Sequence, residues 1–224
     1  MITFNSVSLI YPHSLHTVFE DLTFTIDEGE MVLVIGATGS GKSSLLRLIN
    51  GLVPHHTGGI LAGDISVDGI STSLTKPGGL AHLIGIVGQN PAHGFVTDTV
   101  EEELVFSMES LNVAPDAMRK RVEEILDLLA LAPLRNRAIS TLSGGEQQRL
   151  AIGSALVMHP KILVLDEATS SVDTETETAI QAAIEKMMIN RTSLVIAHRL
   201  STIRQADKII VLDKGVIKEQ GSHD

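Results

Sequence analysis

The chain has 224 residues, of which 43% are hydrophobic, and it carries a formal net charge of −10. This length allows one large globular domain, or one domain with a subdomain. The negative charge argues against general nucleic-acid binding, which needs a basic surface. No apolar run approaches the ~18 residues of a membrane span and no N-terminal signal peptide is recognisable, so we expect the chain to stay where it is made. The chain has no cysteine, which excludes disulfide and thiol chemistry and fits a reducing compartment.

The N-terminal part has the pattern of antiparallel strands. Apolar and polar residues alternate over residues 2–10 and 19–26, and turn sequences follow both runs. A third strand of this kind is predicted at residues 65–69, where it ends in Asp68-Gly69.

From residue 31 onward, short apolar runs alternate with helical patterns. This alternation predicts a mainly parallel sheet with helices on both faces. The predicted core strands are residues 31–35, 83–87, 162–165, 193–197 and 208–212. A mostly helical stretch lies at residues 97–160. It includes an amphipathic helix with Met118, Val122, Ile125, Leu126 and Leu129 on one stripe. A further helix is predicted from residue 174, where Thr174 and Glu177 have capping-box spacing.

A glycine-rich segment, residues 36–43, lies between a predicted strand and a predicted helix. The glycines allow successive backbone N–H groups to surround a phosphate chain, and the helix N-terminus adds a partial positive charge. Lys42 can reach the β- and γ-phosphates, and the Ser43 hydroxyl can bind Mg²⁺. A flexible glycine turn would leave the lysine and both apolar flanks unexplained. We call residues 36–43 the phosphate loop.

Two adjacent carboxylates, Asp166 and Glu167, follow the apolar strand at residues 162–165. Ligands of open α/β sheets bind at the carboxyl ends of the strands. Asp166 is therefore a candidate for the Mg²⁺ held by Ser43, and Glu167 for the base that activates the attacking water. A solvated strand end is the alternative for the pair taken alone.

A second anion site is predicted where Ser143, Gly144 and Gly145 open another helix, predicted at residues 146–158. One nucleotide has no evident need for two such sites. A two-fold dimer would use both, because each nucleotide would contact the loop of one subunit and this helix end of the other. The alternative is a plain helix cap. We call residues 142–147 the signature turn.

These motifs, together with Gln89, residues 170–173 and His198, resemble the nucleotide-binding domain of ABC transporters over nearly the whole chain. The resemblance implies that ATP and Mg²⁺ are the cofactors. It implies that Tyr11 stacks on adenine and that Gln89 senses Mg²⁺ and the attacking water. Further, Asp173 would lie near the partner's site and His198 would contact the γ-phosphate. The implied nucleotide-binding residues are Tyr11, Gly36, Thr38, Gly39, Ser40, Gly41, Lys42, Ser43, Ser44, Gln89, Ser143, Gly144 and Gly145. The implied metal ligands are Ser43, Gln89 and Asp166, and the implied catalytic residues are Glu167, His198 and Lys42.

The resemblance also implies an architecture. The fold would be an α/β P-loop NTPase with a mainly parallel sheet flanked by helices. Residues 1–224 would form a single ABC ATPase domain. Its antiparallel β subdomain would comprise about residues 1–30 and 60–72, its helical subdomain about residues 97–160, and the rest would be a RecA-like core.

Two parts of the chain resemble different branches of the family. Residues 87–91 and 95–103 resemble the ATPases of energy-coupling-factor importers, whereas residues 166–177 and 197–204 resemble ABC exporters. Ala168 stands where the importer ATPases usually have proline. This contrast leads to the hypothesis of a recombined or engineered chimera, joined between residues 142 and 161.

The resulting hypothesis is an ATPase subunit, cytoplasmic and peripheral on the inner face of the cell membrane. It would form a head-to-tail homo- or heterodimer on Mg·ATP and power transmembrane subunits of importer type, with no nucleic acid as partner. One alternative is a non-transport ABC ATPase acting on DNA or ribosomes. That alternative usually involves coiled-coil inserts or basic linkers, which are not found here. Another is an engineered folding scaffold with weak or no ATPase activity.

Overall fold

The computed structural model describes residues 1–166, 188, 191–196 and 206–222. The chain divides into two compact units, the first formed by Met1–Ile84 with Asn190–Asp224 and the second by Gly85–Ile189. None of the described helices is long and apolar enough to span a membrane.

The described strands are, in chain order, β1 (Ile2–Ile10), β2 (Thr17–Ile26), β3 (Met31–Ile35), β4 (Ile60–Val67), β5 (Ile70–Ser71), β6 (Ile84–Val87), β7 (Ile162–Asp166), β8 (Thr192–Ile196), β9 (Lys208–Asp213) and β10 (Val216–Gly221). The described helices are α1 (Lys42–Ile49), α2 (Leu52–His55), α3 (Pro77–Leu80), α4 (Val100–Ser110), α5 (Pro115–Leu128) and α6 (Gly144–Leu156). Short 3₁₀ helices lie at Pro91–His93, Ala132–Leu134 and Ile139–Thr141.

The first unit contains the predicted antiparallel sheet, in the order β2-β1-β4-β5. Along β1 the buried residues are Ile2, Phe4, Val7 and Leu9, so the alternation shifts by one residue after Phe4. The rings of Phe4 and Phe24 stack with centroids 4.5 Å apart. The predicted third strand is longer than expected, because β4 starts at residue 60 instead of 65. Gly63 permits this extension, since it has a φ of 80° and a Cβ there would lie 2.3 Å from the carbonyl oxygen of Ser6.

The first unit also contains four strands of the core sheet, in the order β10-β9-β3-β8. The central strand β3 pairs in parallel with both β8 and β9. Its first four residues are buried, as expected for a parallel strand covered on both faces. The antiparallel edge strand β10 was not predicted from sequence. It is mostly exposed and rich in polar residues, so it lacks the apolar run that marked the other core strands.

The second unit contains α4, α5 and α6, and it includes the neighbouring strands β6 and β7. The predicted amphipathic helix is confirmed as α5, which buries Val122, Ile125 and Leu126. The helix predicted at residues 146–158 starts at Gly144 and ends at Leu156. The helix predicted from residue 174 lies outside the described residues. An antiparallel N-terminal sheet, a parallel core and a helical part together confirm the predicted α/β fold class.

Candidate active site

The phosphate loop connects β3 to α1 in the first unit. Gly39 and Gly41 have φ values of 82° and 106°, in the left-handed region that favours glycine. Gly41 is the N-cap of α1, and no side chain caps this helix. The first-turn N–H groups of a helix have no intrahelical acceptor, so this end of α1 is suited to an anion.

The loop is seated tightly on its surroundings. A Cβ at Gly36 would lie 2.1 Å from the carbonyl oxygen of Leu212, and a Cβ at Gly41 would lie 2.8 Å from a ring carbon of Phe19. The Gly215 N–H also donates to the carbonyl oxygen of Ser40 at 3.1 Å. Larger residues would therefore displace the loop, which explains why glycine occupies these positions.

Lys42 is the first residue of α1, and its side chain turns back into the loop. It is only 8% exposed, and its ammonium donates to the carbonyl oxygens of Gly36 at 2.8 Å and Ala37 at 3.1 Å. Both of these partners, which are the ones found among the described residues, are neutral carbonyl oxygens. The ammonium has three N–H donors and a full positive charge. A buried charge needs a counter-charge, so the loop favours an anionic ligand.

Ser40 provides a second test of how a phosphate would fit. This residue is 4% exposed, and its buried hydroxyl oxygen has no hydrogen-bond partner among the described residues. Buried polar groups are nearly always paired, so an orphan hydroxyl in the loop indicates a missing polar ligand. The Ser40 hydroxyl and the Lys42 ammonium are therefore donors suited to a polyphosphate in the loop.

Tyr11 lies beside the first turn of α1. Its hydroxyl donates to the Ser44 hydroxyl oxygen at 3.1 Å, and the side chain is partly buried. Ser43, the predicted Mg²⁺ ligand, is exposed in the same turn. The first unit therefore brings Tyr11, the phosphate loop and Ser44 together.

The other described site residues belong to the second unit. Gln89 follows β6 by two residues and is exposed, and Asp166 is the last residue of β7. Glu167, His198 and Asp173 lie outside the described residues, so their predicted roles stay predictions.

The signature turn forms the N-terminus of α6, with Ser143 as the N-cap. The Ser143 N–H donates to Glu146 Oε2 at 2.7 Å, and the Glu146 N–H donates to the Ser143 hydroxyl oxygen at 3.3 Å. The backbone hydrogen bond from Ser143, above all, lowers the pKa of the Glu146 carboxyl. This capping box was not recognised from sequence. It engages the Ser143 N–H, so the first-turn N–H groups of Gly144 and Gly145 are the better candidates for anion contact.

Sequence reasoning also missed Glu103 on α4. This carboxylate is 5% exposed and accepts hydrogen bonds from the loop at residues 96–97. The available signal was its helical spacing, because it lies on the buried stripe of α4 with Val100 and Leu104. A carboxylate on an apolar stripe needs buried partners.

The strand, glycine loop and helix, with a buried lysine turned into the loop, define the class of P-loop nucleoside-triphosphate-binding domains. The family model described as ABC transporter matches residues 19–170. The chain belongs to this family, as an ATP-binding domain of the ATPase type.

Two curated relatives illustrate the range of the family. A putative ABC transporter ATP-binding protein of Streptomyces avermitilis is 50% identical over 215 residues, which cover 95% of this chain and 38% of that protein. The energy-coupling factor transporter ATP-binding protein EcfA1 of Latilactobacillus sakei is 36% identical over 214 residues, covering 95% of this chain and 75% of that protein.

Two solved structures are also similar. The dimeric, ADP- and phosphate-bound ATP-binding cassette MJ0796 has a TM-score of 0.86 at 26% identity, with 100% of this chain and 99% of that chain covered. An ATP-bound bacterial Atm1-family ABC exporter has a TM-score of 0.81 at 32% identity, with 99% of this chain and 39% of that chain covered. These matches confirm the predicted P-loop NTPase fold.

The chain spans 38% of the length of the Streptomyces avermitilis relative. That single protein is similar across both sides of the junction hypothesised between residues 142 and 161. The comparisons therefore give no support to a chimera, and the join between residues 142 and 161 stays a hypothesis.

Proposed function

We propose that this chain binds and hydrolyses Mg·ATP, closes as a head-to-tail dimer and thereby powers transport by membrane subunits. The observation that carries the proposal is the buried Lys42 ammonium, which shares the phosphate loop with two carbonyl oxygens and an orphan serine hydroxyl. We further propose that residues 1–224 form a single ABC ATPase domain, with an antiparallel part at about 1–30 and 60–72 and a helical subdomain at about 97–160.

In this proposal the first unit binds the nucleotide. Lys42 neutralises charge on the β- and γ-phosphates, Ser40 donates its free hydroxyl, and Tyr11 stacks on the adenine. Bound Mg²⁺ supplies further charge neutralisation on the phosphates. The residues that would hold it are Ser43, Gln89 and Asp166, whose hydroxyl, amide and carboxylate oxygens are the hard ligands this ion prefers.

Hydrolysis requires a positioned water and a base. We assign the base to Glu167, which would take a proton from the attacking water and contribute roughly 10²- to 10⁴-fold in rate. His198 would orient the same water against the γ-phosphate. Phosphoryl transfer depends mainly on positioning and electrostatics, so these two residues act with Lys42.

A second subunit would complete the site through the signature turn. Ser143 and Gly144 are exposed at the tip of α6, where the helix dipole favours an anion. In the dimer proposed here, homo- or heteromeric, this tip contacts the γ-phosphate bound by the other copy. The dimeric state of MJ0796 supports a dimer of this chain.

We propose transmembrane subunits of importer type as the driven partners, at the inner face of the cell membrane. The support is the similarity of the chain to EcfA1 over three quarters of that protein's length. The similarity to the Atm1-family exporter supports the opposite direction of transport, so the direction needs a separate experiment.

The function is tested with the Glu167→Gln variant. We expect it to bind ATP and sediment as a dimer with Mg·ATP, while hydrolysis falls by about 10²-fold or more, because the base is lost but the phosphate contacts remain. The same variant without Mg²⁺ is the control and should stay monomeric. Wild-type turnover in Glu167→Gln would refute the assignment of the base, and a monomer under all nucleotide conditions would refute the dimer.

A further inference from the structure

The carboxylate of Glu103 holds the loop at residues 95–98 to the first turn of α4. One oxygen, Oε2, accepts from the N–H groups of Val96 and Thr97 and from the Thr97 hydroxyl, each at 3.0 Å. Three donors on one charged acceptor form a strong contact, because hydrogen bonds to charged groups are about twice as strong as neutral ones.

The contact is buried and therefore costly to break. Glu103 is 5% exposed and lies on the stripe of α4 that also buries Val100, Leu104 and Met108. Loss of the carboxylate would leave the two N–H groups without their acceptor, and loss of the donors would leave a buried charge. The loop at residues 95–98 is thus fixed to α4.

This loop is the continuation of the segment that carries Gln89. Between them, the 3₁₀ helix Pro91–His93 is capped by Asn90, whose side-chain oxygen accepts from the Ala92 N–H at 3.2 Å. The same 3₁₀ helix packs against α6. The segment from Gln89 to Thr97 is therefore held by contacts along its length, and Glu103 fixes its C-terminal end.

The first turn of α4 is also hydrogen-bonded to the segment that leads into the signature turn. The Val100 N–H donates to the carbonyl oxygen of Arg137 at 3.3 Å, and the Ile139 N–H donates to that of Asp98 at 2.8 Å. Thr99 and Ala138 form an antiparallel bridge. One helical turn therefore anchors both the segment after Gln89 and the segment before Ser143.

We propose that Glu103 is a positioning residue for ATP hydrolysis, which fixes the Gln89 segment relative to the signature turn within the second unit. The inference rests on the proposed function, because Gln89 is taken there to contact Mg²⁺ and the attacking water. In this proposal the carboxylate itself contacts neither the nucleotide nor the metal. It acts by limiting where Gln89 can lie when the site is assembled.

The test compares Glu103→Ala and Glu103→Gln in the purified protein, with Glu109→Ala as the matched control. Glu109 lies on the same helix and is exposed, so its replacement removes the same charge without the loop contact. We expect Glu103→Ala to lower kcat by about tenfold or more, since small displacements at a catalytic centre have large effects. The dissociation constant for ATP should stay within about twofold, because the phosphate loop belongs to the first unit.

Two further readouts separate positioning from a general loss of structure. The Mg²⁺ concentration for half-maximal rate should rise in Glu103→Ala, and Glu103→Gln should recover most of kcat because its amide oxygen can accept the same donors. Glu109→Ala should match the wild type. Wild-type kcat in Glu103→Ala, or a loss in Glu109→Ala as large as in Glu103→Ala, overturns the inference.

If Glu103→Ala does not fold, Thr97→Val replaces it, because this change removes only the hydroxyl donor. A reduced kcat at unchanged ATP affinity supports the inference, and an unchanged kcat overturns it. A wild-type protein that binds ATP without hydrolysing it would overturn the proposed function and this inference with it. An active wild type together with wild-type kcat in Glu103→Ala overturns the inference alone.

Discussion

At the scale of single residues, the phosphate loop holds the positive charge of Lys42 in a buried position suited to an anionic ligand. The Lys42 ammonium is almost fully buried, yet the acceptors that the described chain gives it are two carbonyl oxygens. Carbonyl dipoles orient the ammonium but do not cancel its charge. The negative charge of a bound phosphate would compensate the buried ammonium, so binding of a phosphate at this position would be favourable.

This arrangement leads to a prediction for Lys42→Ala. We expect ATP affinity to fall about 10- to 100-fold, which corresponds to the roughly 1.5–3 kcal/mol of a hydrogen bond to a charged group. The matched control is Arg47→Ala, which removes an exposed cation from the last turn of the same helix. The measurement is a titration of both variants with Mg·ATP. Equal affinity in Lys42→Ala and wild type would contradict the phosphate-loop assignment.

Single residues also show which features of the site can be predicted from sequence and which cannot. The phosphate loop is predictable, because glycines and a lysine at fixed spacing between a strand and a helix have one common physical explanation. The role of Glu103 is not predictable, since its partners are backbone N–H groups that come within reach only when the loop at residues 95–98 folds back on α4. The bond between Tyr11 and Ser44 likewise joins residues 33 positions apart in sequence.

At the scale of elements, the boundaries that sequence reasoning missed depend on tertiary contacts. The strand β10 carries a polar sequence and exists because it pairs with β9 through the turn at Lys214 and Gly215. The capping box of α6 was missed because the Ser143 motif was interpreted as an anion site. Both roles are compatible, since the cap uses Ser143 and Glu146 while the N–H groups of Gly144 and Gly145 remain for a ligand.

The β9–β10 turn gives a prediction with an internal control. Gly215 and Gly29 have nearly equal φ values of 77° and 78°, but a Cβ at Gly215 would lie 1.8 Å from the Val18 carbonyl oxygen, whereas a Cβ at Gly29 has no atom within 4 Å. We expect Gly29→Ala to cost at most about 1 kcal/mol in the free energy of unfolding, from left-handed strain partly offset by lower chain entropy in the unfolded state.

Gly215→Ala adds a backbone clash to the same strain. We expect a further loss of about 1–3 kcal/mol, typical of overpacking that forces the backbone to move. Urea unfolding of the two variants measures the difference directly. Equal losses in both variants would show that the turn moves away from Val18 at no cost, contrary to this packing.

At the scale of the whole molecule, each of the two units carries its own set of proposed functional residues. The first unit supplies Tyr11 and the phosphate loop, and the second supplies Gln89, Asp166 and the signature turn. In the proposed function, nucleotide binding and nucleotide hydrolysis therefore depend on different parts of the chain. This division is why the Lys42 and Glu103 variants are expected to differ, the first in ATP affinity and the second in kcat.

The proposed dimer makes the stabilisation by ATP depend on protein concentration. A ligand at 100 times its dissociation constant adds about 2.7 kcal/mol to the free energy of unfolding of the protein that binds it. Dimer formation stabilises the folded protein further, and this stabilisation grows with subunit concentration. In Glu167→Gln, which should retain ATP, we expect Mg·ATP to raise Tm and the rise to increase with protein concentration. The measurement is thermal unfolding at several protein concentrations, with and without Mg·ATP.

The control for this measurement is Gly144→Glu in the Glu167→Gln background. A carboxylate is well tolerated in the first turn of a helix because it faces the positive end of the dipole, but it would repel a phosphate approaching from another copy. We therefore expect this double variant to keep an ATP-dependent rise in Tm and to lose its dependence on protein concentration. A rise that is independent of protein concentration in Glu167→Gln itself would mean that each nucleotide is bound by one subunit alone, and the signature turn would then have no role as an anion site in trans.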